Sequence, residues 1–272
     1  MRIAIRHRTD YSYSEPIARG IQYIRLTPRS GASQLVLDWS VRAPGALSSF
    51  TDQFGNICHS HVYEAPAKEL SIRVVGEVET IDTKGVTPVT ERDLPPAVYL
   101  RQTSYTVADD KLREFADSFR TSFERNLLDG LHRLMRAIHE VVPYQEGETH
   151  VHTTAAEAFA DRKGVCQDHA HIFITVCRAL GVPARYVSGY LVAGKSAGFE
   201  EHDASHAWAE ALVDPLGWVA FDAANAICPT EAYVRTAIGL DYADAGPVRG
   251  VRQGGGTEDL AVAIVLQTSQ QQ

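Results

Sequence analysis

The sequence predicts an α+β protein in two parts. An N-terminal antiparallel β-sandwich-like domain spans 1–95, and a second unit, 96–272, packs helices on an antiparallel sheet. Three observations carry this. Apolar residues alternate through the N-terminal third, spacings of three and four take over after a stretch containing Pro88, Pro95 and Pro96, and alternation returns from Ala184 to Asp222. With 272 residues the chain is long enough to bury the core such a plan needs.

The elements follow in order. Met1 to Arg8 alternates like a strand and has no apolar signal-peptide core. Gln22–Leu26, Gln34–Val41 and Ser71–Ile81 are further strands, and Gly55 with Asn56 can supply positive φ to a hairpin turn. Thr83–Thr103 is turn-rich and reads as the linker. Asp109–Phe119 predicts a short helix. Phe123–Val142 predicts a longer one, with Leu127, Leu131, Leu134, Met135 and Ile138 on one stripe and Pro143 ending it. Thr154 and Glu157 fit a capping box for a helix ending near Arg162. The next helix runs from Cys166 to Leu180 and stops at Gly181; Cys177 falls on its apolar side as a small buried hydrophobe. Ala184–Val192 is a strand, and Lys195–Ser205 is a polar loop placed to gate access. His206–Val213 and Gly217–Asp222 are strands joined by a tight turn.

Composition narrows the partners. A net charge of −8 and the lack of a Lys/Arg block argue against nucleic acid and anionic membranes, leaving a peptide or protein substrate. The apolar run Leu260–Leu266 is too short to span a bilayer. Four separated cysteines without a CxxC pair read as free thiols, and hence as a cytoplasmic protein. Neither GxGxxG at a strand–helix junction nor GxxxxGK[ST] occurs, so nucleotide binding has no motif behind it.

The stretch Gly164 to His171, GVCQDHAH, concentrates the chemistry. Cys166 opens a helix, where unpaired N–H groups and the dipole stabilise a thiolate and can face an oxyanion. A nucleophile also needs a base and a group to orient it. His206 starts one strand and Asp222 ends its hairpin partner, so the two come to neighbouring strand ends. Cys166, His206 and Asp222 thus form a workable triad of nucleophile, general base and tautomer-fixing carboxylate. Asp168, in the first helical turn, is expected to point away from the sulfur and organise the loop around it. Two alternatives stay open. One is a non-catalytic peptide-binding protein. The other is a zinc-dependent hydrolase drawing on Cys166, His169, His171, His202 and His206. Against zinc, His202 and His206 lack the glutamate of HExxH, and helical His169 and His171 point about 200° apart.

At these residues the sequence resembles the transglutaminase-like superfamily, in its bacterial branch with a transglutaminase-like N-terminal region. Gly164-Val165-Cys166 with Asp168 and Ala170 matches the cysteine block, His206-Ala-Trp-Ala-Glu210 the histidine block, and Trp218-Val-Ala-Phe-Asp222-Ala-Ala-Asn225 the aspartate block. Ala223-Ala224 replaces the usual Pro-Thr, and Leu240 stands where Gly-Arg-Asp-Tyr has arginine. The resemblance implies a papain/transglutaminase-like core and a cysteine protease or amidase working through a thioester. Transamidation or deamidation is the neighbouring outcome, and neither calcium nor another obligatory cofactor is implied. Trp208, Tyr144 and Asn225 are implied supporting residues, although Trp208 and Trp218 fit a core equally well.

Overall fold

The computed structural model describes residues 1–63, 66–91, 93–192 and 205–269. Its first part is a bent antiparallel sheet built on β1 (Arg2–Thr27). β2 (Gln34–Arg42) and β3 (Leu47–Thr51) follow each other along one edge. β4 (Ile57–Tyr63) and β5 (Ala67–Thr80) run end to end between that edge and β1, with Gly20 opposite Tyr63 and Ile17 opposite Ala67. Alternation buries Ile3, Ile5, Ile17, Ile72, Val74 and Val78 on the concave side. The hairpin turn expected at Gly55 is present, with φ +79°.

β6 (Val86–Thr87) is followed by α1 (Asp110–Asp117), α2 (Arg120–Arg125), α3 (Leu127–Val141), α4 (Ala155–Asp161) and α5 (Cys166–Ala179). The single helix expected over 123–142 is divided. Asn126 is extended, and its side chain accepts the Asp129 N–H, capping α3. The apolar stripe continues across the break, but an asparagine satisfies an orphan donor better as a cap than as a helix-interior residue. Thr154 and Glu157 do form a reciprocal capping box on α4.

The second sheet has the order β10-β7-β8-β9-β6, with β7 (Ala184–Leu191), β8 (Ser205–Val213), β9 (Gly217–Phe221) and β10 (Tyr233–Gly239). β8 and β9 form the expected hairpin, with Val213 opposite Gly217. One face, including Ala207, Ala209, Ala211 and Phe221, packs on Ile172, Phe173 and Val176 of α5; the small alanines let the helix lie close. The other face carries Trp208 and Trp218 against Tyr99 and Phe54. Here Arg185 pairs with Glu210 and Asp93, stacks 4.0 Å over Trp218, and shares Glu210 with Arg235.

After α6 (Tyr242–Ala245), β11 (Val248–Gly254) and β12 (Glu258–Ser269) return to the first sheet, on the free side of β1. The tail therefore does not belong with 96–247, as the boundary at residue 95 implied. β1 has backbone donors and acceptors on both sides, and the alternating tail is the segment that satisfies the second. The two sheets meet along β10. Gln34 donates Nε2 to Arg235 O (2.8 Å) and accepts the Arg235 N–H (2.9 Å); Asn56 does the same to Ile238 at 2.7 and 2.8 Å. Two side-chain amides thus stand in for the strand that β10 lacks. Among the described residues no helix is long and apolar enough to cross a membrane.

Candidate active site

The site begins with a glycine that has no room for a side chain. A Cβ on Gly164 would lie 2.7 Å from Asp168 Cβ and 2.8 Å from its Oδ2. That close approach lets Asp168 accept the Val165 N–H at 2.8 Å and the Thr149 hydroxyl at 2.7 Å, fixing the start of α5 and the loop before it. Burial pushes the Asp168 carboxyl above its ordinary range. Cys166 is the first residue of α5 and is half-buried.

His206 is the second residue of β8 and Asp222 directly follows β9. Their side chains meet at 2.7 Å, Nε2 to Oδ2. Cys166 lies near enough to the same ring for its charge and a hydrogen bond to shift the imidazole's pKa, and Nδ1 is the ring nitrogen that Asp222 does not use. Burial pushes the imidazole pKa down, but the charges of Asp222 and Cys166 outweigh it and raise it to about 10. This surrounding favours the protonated ring. Asp222 is fully buried. Burial pushes its pKa up; the charge of His206 and side-chain hydrogen bonds from His206, Asn225 and Tyr233 hold it below the ordinary carboxylate range. Besides His206, it accepts from Ala224 N–H, Asn225 N–H, Asn225 Nδ2 and the Tyr233 hydroxyl.

The structure therefore brings together Cys166, His206, Asp222 and Asn225. Trp208 is buried and stacked on the His206 ring at 6.4 Å, so it backs the imidazole. Trp218 is core beneath Arg185. Tyr144 is exposed, bridges to Gly164 and lies parallel to the His169 ring at 6.2 Å. Sequence reasoning missed Tyr233; it belongs to no motif, and only pairing of β10 with β7 brings it to the site.

The histidines nearest in sequence go elsewhere. His169 uses both ring nitrogens on the carbonyls of Val142 and Val165. His171 is buried between Tyr105 and Tyr186, accepts the Tyr242 N–H, and has its pKa lowered to about 3 by burial. His202 and residues 195–204 of the expected gating loop lie outside the described residues. Among the described residues no three His, Cys, Asp or Glu side chains converge on a possible metal position.

An uncharacterized protein of Mycobacterium leprae (strain TN) is 31% identical over 278 residues, covering 97% of this chain and 98% of its own length. The family model of the transglutaminase-like superfamily matches residues 113–223, and that of the bacterial transglutaminase-like N-terminal region matches residues 3–79. The chain belongs to the transglutaminase-like superfamily. An uncharacterized protein of Mycobacterium tuberculosis (strain H37Rv) is likewise 31% identical, over 92% of this chain and 87% of its own length. A solved structure named "a Putative Cysteine Protease" from Cytophaga hutchinsonii superposes with a TM-score of 0.77 at 25% identity, over 100% of this chain and 92% of that one. The transglutaminase-like fold is one of cysteine-based acyl transfer.

Proposed function

We propose that this protein is a cysteine-dependent hydrolase of peptide or carboxamide bonds. The observation that carries the reading is the 2.7 Å contact from His206 to Asp222, with the Cys166 thiol beside the same ring at the start of α5. Cys166 Sγ, as thiolate, attacks the carbonyl carbon and a C–S bond forms. Charge moves onto the carbonyl oxygen, toward the N–H groups that open α5. His206 then gives its proton to the leaving nitrogen, the C–N bond breaks, and a thioester remains. The neutral imidazole next takes a proton from water as its oxygen attacks the thioester carbonyl; the C–S bond breaks, the carboxylic acid leaves, and the thiolate and protonated imidazole are restored. Exposed Tyr144 beside the cysteine segment suits a peptide lying across the site. The unpaired state of all four cysteines fits the reducing cytoplasm.

The test is a panel of peptide and glutamine-carboxamide substrates, run on the parent and on Cys166→Ala with and without an added primary amine. Hydrolysis that persists with amine present, and is absent in Cys166→Ala, is the expected result. Cleavage by a folded Cys166→Ala protein would overturn the nucleophile, and products carrying the amine would turn the reading to transamidation.

A further inference from the structure

Asp222 Oδ2 accepts from three donors at the same distance: His206 Nε2, Asn225 Nδ2 and the Tyr233 hydroxyl all lie at 2.7 Å. An imidazolium alone would compensate the carboxylate. The extra donors matter once His206 has given its proton away, because a fully buried carboxylate then faces a neutral ring. Without other donors it would pull a proton back onto the imidazole and stall the base. We propose that Tyr233 is a positioning residue of the triad, its hydroxyl acting with Asn225 to keep Asp222 anionic while His206 is neutral and acting as base. This rests on the reading of Cys166, His206 and Asp222 as an acyl-transfer triad.

The phenol is held rigidly enough for the task. Its ring stands edge-on to Trp208 at 5.3 Å and to His206 at 6.0 Å, and Trp208 stacks on the imidazole from behind. Tyr233 is also the first residue of β10, whose backbone is clamped two residues later by Gln34. Burial and the neighbouring Asp222 push the phenol's ionisation far up, so it stays a donor across the working range. Among the described residues the titratable groups facing His206 are Asp222 after β9, Cys166 on α5 and Tyr233 on β10, and Cys228 lies near Tyr233.

The experiment is an NMR titration of His206 in the full chain carrying Cys166→Ala, which removes the coupled thiol, with and without Tyr233→Phe. Losing a donor strengthens the hold of Asp222 on the imidazolium proton, so the His206 midpoint should rise by about one unit, tenfold in proton affinity. A lower melting temperature with an unmoved midpoint would mark a merely structural tyrosine and overturn the proposal. Should Tyr233→Phe not fold, 3-fluorotyrosine at position 233 keeps the shape with a stronger donor. The midpoint should then fall, and one that stays or rises overturns the proposal. The titration needs no turnover. A shifted midpoint in a protein without thiol-dependent activity would reject the reaction and keep the positioning role, whereas normal activity with an unmoved midpoint would do the reverse.

Discussion

Replacing Gln34 with leucine should loosen the seam between the two sheets by an amount the hydrogen bonds define. Gln34 is buried, and its amide both donates to and accepts from the main chain of Arg235, at 2.8 and 2.9 Å. Leucine nearly keeps the volume and removes both partners, so one N–H and one C=O on the edge of β10 lose their bonds; it also removes the donor to the Arg29 carbonyl, 2.9 Å away, which lies toward water. A buried backbone group left unpaired costs about 1–3 kcal/mol, and allowing for some access of water to this edge the pair should cost about 2–4 kcal/mol. In a domain of this size each kcal/mol lowers Tm by roughly 2–4 °C, so a drop of roughly 5–15 °C is expected. Guanidinium unfolding followed by tryptophan fluorescence, which reports Trp208 and Trp218 in the second sheet and Trp39 in the first, supplies the free energy. A loss under about 0.5 kcal/mol with an unchanged denaturant slope would show that water replaces the amide, and would refute the reasoning.

Three further outcomes are expected. Gly164→Ala sets a Cβ against Asp168 at 2.7 Å and should cost about 1–3 kcal/mol; in an Asp168→Gly background much of that cost should vanish, and strictly additive losses would rule out the contact as its cause. Glu210→Gln leaves Arg185 and Arg235 sharing a neutral amide in a buried site and should cost about 3–5 kcal/mol by denaturant midpoint; a near-neutral change would mean that Asp93 alone balances both guanidiniums. Burial lowers the pKa values of His7 and His171 to about 4 and about 3, below their unfolded value of 6.5. Their stabilisation is present above pH 6.5 and lost as pH falls. At pH 5 each should have cost about 2 kcal/mol, while His206, raised in the fold, adds no slope below pH 6.5. Melting temperatures at pH 7 and pH 5 check this, and equal values would count against neutral burial of the two rings.

The features legible in the sequence depend on neighbours a few residues apart. The helix start at Cys166, the capping box of Thr154 and Glu157, and the turn that folds His206 back beside Asp222 each follow from local spacing and residue type. The break at Asn126 was within the same reach, but the apolar stripe running through it masked the cap. Trp208 shows the limit of alternation: it puts the ring on the His206 side of β8, yet whether that side meets solvent or protein depends on what packs there.

By itself, the sequence determined the α+β class, the order of the elements and the placing of a cysteine, a histidine and an aspartate at ends that can converge. Only the tertiary structure decided that β12 completes the first sheet, that Gln34 and Asn56 close β10 across 201 and 182 residues of chain, and that Tyr233 reaches Asp222. The physical reason is that such contacts depend on sheet register and on which edge is left unpaired. Those are properties of the assembled layers, which no local period of apolar residues records.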